Sequence, residues 1–322
     1  MKAIRVYETG GPEVLRYEEL AEPVAQAGQA VVRLDAIGLN FFDVQIRSGV
    51  FTVPLPLTLG VEAAGNVVAI APGVTDVKVG DSVAYAGILG AYAQYAAVPA
   101  DRLVVLPSGL DTRQGAAAMA QGLAAHYLTA ATYPVGPKDC CLVHAAAGGV
   151  GRLICQVAKL RGARVIGTVS TEEKERIARA AGADEVIRYD QKDFVAETRR
   201  LTDGQGVNVV YDSVGKDTFD RSIDCLAVRG MMVHFGESSG PVRSFDPRVL
   251  EDKGSLYFAR PSRRHHIATR AALLERANEM LGWVRDGKLA LRIGAEFPLH
   301  EAAEAQRRLV ARQTTGKVLL IP

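Results

Sequence analysis

The chain has 322 residues, 48% of them hydrophobic and 23% charged, a length that can bury a large core and predicts two domains. Its 38 Lys and Arg stand against 36 Asp and Glu, and the net charge of +2 offers no field for gathering nucleic acid or a membrane surface, so small-molecule partners are expected. The opening MKAIRVYETGGPEVL lacks the apolar core of an export signal, and no later run reaches the roughly 18 purely apolar residues of a membrane span. Cys140, Cys141, Cys155 and Cys225 form no C-x-x-C pair. The expected setting is therefore the reducing cytoplasm, with the thiols acting as small buried hydrophobes.

Residues 1 to about 105 read as β-rich, because short Val, Ile and Leu runs such as QAVVRLDAIG and AAGNVVAIA are cut by the turn signals GGP, APGV and KVGD. From about 139 to 236 strands and helices alternate. The predicted order is strand CCLVHA, helix GRLICQVAKLRG, strand ARVIGTV, helix TEEKERIARAAG, strand DEVIRY, helix KDFVAETRRLTD, strand VNVVYDSV, helix DTFDRSIDCLAVRG and strand MMVHFG. Such a rhythm predicts a parallel sheet with right-handed crossovers. In the first of these helices Leu153, Ile154, Val157 and Leu160 share the face expected to pack on the sheet, and Gly162 ends the helix. Ser170 and Glu173 have the spacing of a capping box for the next one. After residue 265 a long helical stretch, HHIATRAALLERANEMLGWVRDGKL, leads to a short strand, the helix HEAAEAQRRLVARQ and a final strand GKVLLI.

The segment HAAAGGVG joins the first strand of the alternating region to its first helix. It fits A-x-x-G-x-x-G at Ala145, Gly148 and Gly151, with Gly149 and Val150 between the last two. Glycines let the backbone approach a pyrophosphate, and a helix start offers unpaired N–H groups and a positive dipole end. With a strand before and a βαβ unit closing about 25 residues on, the pattern predicts a bound dinucleotide. An NAD-selective fold holds the ribose 2′-OH with Asp or Glu at the end of the second strand. Ser170 stands there, followed by Lys174 and Arg176, so a 2′-phosphate would meet a hydroxyl and a cation. NADPH is the expected cofactor, on condition that Glu172 and Glu173 point away.

Together with AIGLNFFDVQIRSG, GVEAAGNVVAIAPGVTDVKVGDSVAY, VVYDSVGKDTFDRSIDCL, FGESSG, RPS and the terminal LLIP, these segments resemble the medium-chain dehydrogenase/reductase superfamily over essentially the whole chain. Within it the likeness is to the zinc-independent NADPH quinone oxidoreductase, or zeta-crystallin-like, branch. The resemblance implies an α/β fold, with a GroES-like β-rich catalytic domain over 1–123 with 264–322 and a Rossmann-type parallel-sheet domain over 124–263. It also implies a quinone-reducing enzyme and a homodimer. The zinc alcohol dehydrogenases of the superfamily carry a Cys where this chain has Asn40, and Gly-His-Glu where it has Gly60, Val61 and Glu62. Both liganding positions are lost, the six histidines form no H-x-x-x-H spacing, and a catalytic zinc needs about three protein ligands. No metal is expected, and Glu62 reads as a hydrogen-bonded structural carboxylate. Without a Lewis acid the acceptor has to be electrophilic in itself, as a quinone or an activated alkene is.

Carried over residue by residue, the resemblance implies that Asn40 is the catalytic contact to nicotinamide or acceptor. Phe42, Gln45 and Phe51 would touch the substrate. Asn40, Phe41, Tyr127, Gly148, Gly149, Val150, Gly151, Ser170, Lys174, Tyr189, Ser213, Phe235, Gly236, Phe258, Arg260 and Arg312 would contact the cofactor. Core packing is the competing reading for Phe41, Phe42 and Phe258. Relatives often have tyrosines at the positions of Gln45 and Phe51, which leaves the acceptor open, and a threonine at that of Ala124, whose loss removes one possible contact to the carboxamide. Two alternatives stand beside the quinone reductase: an NADPH-dependent reductase of enals, enones or enoyl thioesters, and a non-catalytic NADPH-binding structural or sensor protein. A hydrolase reading of GESSG as G-x-S-x-G needs a helix straight after it, whereas PVRSFDP follows.

Overall fold

The computed structural model describes residues 1–322. The chain divides into two compact units, Met1–Leu123 with Ile267–Gly287 and Leu291–Pro322, and Ala124–His266 with Lys288–Ala290. In the first unit the long strand Gln29–Leu39 is central to a seven-stranded sheet. Glu62–Ile70 lies antiparallel on one side of it, with Ala63 opposite Ile37. Lys317–Ile321 pairs antiparallel at its end, with Val318 opposite Leu39. That register gathers Asn40, Glu62 and Lys317 at one end of three strands. The core beneath includes Ile4, Val32, Leu34, Ile37, Leu59, Val83, Tyr85 and Leu103, each large aliphatic side chain contributing about 1.5–3 kcal/mol by its burial.

Two helices of this region carry no periodic signal. Phe41–Arg47 has only seven residues, fewer than two full turns of pattern. Thr112–Tyr127 buries Ala116, Ala117, Ala118, Met119 and Leu123, so apolar residues run almost all round it and no polar face marks the period.

The second unit is built on a six-stranded parallel sheet in the order Glu185–Arg188, Arg164–Val169, Cys140–Val143, Val207–Asp212, Leu226–His234, Tyr257–Ala259. The first of these strands in sequence, Cys140–Val143, is flanked by the second and the fourth. The strand order reverses there, and in such sheets ligands bind in the crevice at the carboxyl ends of those strands. All four cysteines are free thiols and only Cys140 is not buried.

Four sequence expectations need correction. In Gly149–Leu160 the side chains of Leu153, Ile154 and Val157 are buried, but Leu160 is 45% exposed and Ala158 completes the buried row. The cap of Glu172–Ala180 is Thr171, whose hydroxyl accepts from the Lys174 N–H at 3.2 Å; Ser170 is thereby released from capping. The predicted helix DTFDRSIDCLAVRG shrinks to Phe219–Ile223, because Leu226 pairs with Val207 and opens the next strand. The long helical stretch after 265 is two helices, Arg263–His266 and Arg270–Arg285, the second started by Thr269 accepting from the Ala272 N–H at 3.2 Å. No helix is long and apolar enough to cross a membrane.

Candidate active site

The glycine loop of the second unit is shaped by its contacts. Ala145 takes φ +51, its carbonyl accepts from the Gly148 N–H at 2.8 Å, and the Ala146 N–H bonds Thr168 O on the neighbouring strand at 3.1 Å. A Cβ on Gly151 would lie 3.1 Å from Ala146 Cα and closer still to the Ala145 carbonyl, so only glycine lets the helix start press against the loop. The bond from Arg152 N–H to Gly148 O, 3.0 Å, is the first of the helix. The N–H groups of Gly149, Val150 and Gly151 precede it and are available to an external acceptor.

Behind this loop runs a buried polar chain. Thr168 Oγ1 is 2.8 Å from His144 Nδ1, His144 Nε2 is 2.9 Å from Ser222 Oγ, and Ser222 donates to Asp212 Oδ2 at 3.1 Å. Since Ser222 gives its one proton to Asp212, it must accept from His144 Nε2–H. Burial pulls the imidazole pKa down, which favours the neutral ring with Thr168 donating to Nδ1. Asp212 also accepts from Thr218 Oγ1 at 2.7 Å and from the N–H groups of Val214, 2.7 Å, and Gly215, 3.1 Å. The carboxylate thereby fixes the turn that carries Ser213, whose carbonyl accepts from the Ser238 N–H at 3.1 Å. A Cβ on Gly236 would meet the Ser213 backbone at 2.9 Å.

At the end of the second strand Lys174 Nζ donates to Ser170 Oγ at 3.4 Å, and the Tyr189 N–H bonds Val169 O at 3.1 Å. This sets Lys174 on Ser170 and the Tyr189 backbone beside Val169, the residue before Ser170; Tyr189 is 47% exposed. Glu172 and Glu173 are exposed in the first turn of the helix. Phe235 and Gly236 follow the strand Leu226–His234. Phe258 is half-exposed, with its ring 5.7 Å from Phe219 and 5.4 Å from Phe245. Arg260 is held by Glu237 at 3.1 Å, and Glu237 also lies 3.5 Å from the buried His234 Nε2. Tyr127, by contrast, is buried, stacks on His266 at 4.4 Å, and has its phenol pKa raised to about 12 by that burial. After GESSG the next helix begins only at Arg248, so Ser238 stands on no nucleophile elbow.

In the first unit Asn40 ends its strand in extended conformation, and its N–H bonds Asp43 Oδ2 at 2.9 Å, starting the helix Phe41–Arg47. Its side-chain Nδ2 donates to Gly38 O at 3.0 Å and to Glu62 Oε2 at 2.9 Å, while its Oδ1 accepts from Lys317 Nζ at 3.0 Å. Lys317 also pairs directly with Glu62, both being fully buried, and Glu62 Oε1 accepts from the Ala120 N–H. Gly38 makes room for this carboxylate, since a Cβ there would sit 2.7 Å from Ala116 O and against Glu62. Asp43 Oδ2 receives a further bond from Tyr92 at 3.2 Å. Burial raises its pKa to about 7 against the pull of the Asn40 N–H and Lys317.

Beside Asn40, Phe41 is half-buried and Phe42 is exposed. The Gln45 carbonyl accepts from the N–H groups of Val50, 2.9 Å, and Phe51, 3.3 Å. This folds the chain back so that the rings of Phe42 and Phe51 meet at 4.9 Å. Val50 and Leu55, close by in sequence, are exposed as well. Arg312 lies in an exposed turn with φ +59. No group of three or more His, Cys, Asp or Glu is arranged to hold a metal.

Two family models match the chain, the alcohol dehydrogenase GroES-like domain over residues 26–108 and the zinc-binding dehydrogenase over 149–268. A quinone oxidoreductase of Pseudomonas aeruginosa is 46% identical, covering 100% of this chain and 99% of its own. The chain belongs to the quinone oxidoreductase branch of the medium-chain dehydrogenase/reductases. The crystal structure of the Escherichia coli quinone oxidoreductase complexed with NADPH superposes with a TM-score of 0.98 at 43% identity, over 100% of both chains. A 2-haloacrylate reductase of Burkholderia is 41% identical over 98% of each chain.

For this member of the branch, several residues around the named positions escape sequence reasoning. Lys317 looks like an ordinary first residue of a strand, and only the register of that strand brings it to Asn40. Asp43 carries a signal that could have found it, three residues after Asn40 in the spacing of a helix start. His144 directly follows its strand and opens the glycine loop, and Asp212 ends the neighbouring strand, but the link between them through Ser222 depends on the packing of Phe219–Ile223.

Proposed function

We propose that the chain is an NADPH-dependent quinone oxidoreductase that carries out metal-independent hydride transfer to a flat, quinone-like acceptor. Its relatives' names support the reaction class, and the observation that carries the reading to this chain is the Lys317 ammonium bonded to Glu62 and Asn40. Where zinc relatives would bind a divalent cation, a buried positive charge already occupies the carboxylate, and neither Asn40 nor Val61 is a zinc ligand. NADPH, when bound, supplies the hydride.

The residues fit that cofactor. Gly149, Val150 and Gly151 offer N–H donors for its pyrophosphate, at a loop whose packing excludes a Cβ at Gly151. Ser170, Lys174 and Tyr189 offer a hydroxyl, a cation and a phenol for the 2′-phosphate. Ser213, Phe235, Gly236, Phe258 and Arg260 are assigned to the nicotinamide half, with Arg260 exchanging Glu237 for ligand; Tyr127 and Arg312 complete the cofactor contacts, Tyr127 from its buried place. Asn40 meets the reacting groups, and Phe42, Gln45 and Phe51 hold the acceptor by shape and stacking. We infer a cytoplasmic homodimer without nucleic-acid or membrane partners, in keeping with the net charge of +2. A second acceptor class, activated alkenes, is favoured by the likeness to a 2-haloacrylate reductase.

The direct test is the pair of dissociation constants for NADPH and NADH. Lys174→Ala should weaken NADPH by about 10- to 100-fold, the worth of one charge-assisted hydrogen bond, and leave NADH nearly unchanged. Equal losses for both cofactors would remove Lys174 from the phosphate.

A further inference from the structure

Both hydrogens of the Asn40 amide are spent inside the protein, one on Gly38 O at 3.0 Å and one on Glu62 Oε2 at 2.9 Å. The reverse orientation would aim Oδ1 at a carboxylate and a carbonyl and Nδ2 at an ammonium, so the electrostatics permit only the observed one. Oδ1 accepts from Lys317 at 3.0 Å and keeps one lone pair. The cation responsible is itself buried, 2% exposed, and paired with the fully buried Glu62.

We propose that Lys317 is a positioning residue: bonding Oδ1 opposite the Glu62 and Gly38 bonds to Nδ2, it holds the Asn40 amide with both hydrogens turned inward, so that Asn40 engages the hydroxyl of the reduced acceptor through its remaining lone pair rather than a quinone carbonyl. A quinone oxygen has no hydrogen to offer and Asn40 has none left to give. A hydroquinone hydroxyl is the complementary donor. The choice of acceptor over cofactor as the partner follows from the chain itself, because Asn40 directly precedes the helix bearing Phe42, whose ring meets that of Phe51 at 4.9 Å, both being exposed. This inference rests on the quinone-reductase reading above.

Removing Lys317 alone would strand a buried carboxylate and is expected to unfold the unit, so the informative variant is the charge-neutral pair Glu62→Gln with Lys317→Met, accompanied by Lys317→Arg, which keeps the cation. The measurement is product inhibition by a simple benzohydroquinone, alongside KM for benzoquinone and for NADPH. In the double variant the hydroquinone inhibition constant should rise about tenfold or more, the worth of a hydrogen bond to a polarised group. The hydroquinone constant should rise at least about fivefold more than KM for benzoquinone or NADPH, and Lys317→Arg, which keeps the cation, should retain most of the inhibition. A folded double variant with unchanged hydroquinone inhibition overturns the proposal, as does a parallel rise in all three constants. Should the wild type reduce no quinone, the proposed function fails by itself; equilibrium titration with the hydroquinone then still decides the role of Lys317, since tight binding lost in the double variant supports it and equal binding refutes it.

Discussion

Asp43 sits where three demands meet: it starts a helix by accepting from the Asn40 N–H, it accepts from Tyr92, and it is fully buried. Burial raises its pKa from 3.8 to about 7, so between those values the folded chain binds a proton that the unfolded chain does not. The stabilisation linked to that proton is complete below the unfolded value and is lost as pH rises through about 7. Asp43→Asn keeps an acceptor oxygen and removes the charge. Its Tm should therefore change less than that of the wild type between pH 5 and 8, each kcal/mol amounting to about 2–4 °C for a unit of this size. Identical pH profiles would show that Asp43 does not titrate in that range. Residue identity alone put forward Asn40 and Ser170, which stand where the zinc or NAD-selective pattern has a different residue type, and Lys174 as the cation that follows Ser170. It was blind to Lys317 and His144, whose partners lie 277 and 78 residues away in sequence and are set by strand register and helix packing.

The elements of the second unit were largely visible in advance, since a strand and an amphipathic helix each imprint a period. Their ends were not, as at Leu226, where pairing with Val207 overrides a helical pattern, and at Thr269, where a local cap splits a continuous one. In the first unit the helix Phe41–Arg47 was too short to read, although it carries the candidate acceptor residues. The last strand of the parallel sheet, Tyr257–Ala259, has a neighbour on one side only, and its Tyr257 is exposed. An open, apolar strand edge invites pairing with a second copy. Sedimentation should accordingly give twice the 34.4 kDa chain mass, and Tyr257→Asp, which places a charge on that edge, should shift the chain toward monomer. A monomeric wild type would contradict the homodimer.

At the scale of the whole molecule, one unit carries the glycine loop and the Ser170–Lys174 pair proposed to take the cofactor phosphates, and the other an Asn40–Glu62–Lys317 cluster in the stretch that also carries the Phe42–Phe51 ring pair. Both follow from sheet ends, where strands stop and side chains of distant segments converge. The cluster holds the Lys317 cation; under the proposed metal-independent function the burden of reactivity falls on the acceptor. The most direct measurement is kcat/KM with NADPH for 1,4-benzoquinone, a simple enal and a saturated ketone, before and after exhaustive dialysis against a strong chelator. The quinone should lead and the ketone should be barely reduced, with chelation changing neither value. A ketone that proved the best acceptor, or activity lost to the chelator and recovered with zinc, would contradict metal-independent quinone reduction; an enal well ahead of the quinone would move the chain to the double-bond reductases.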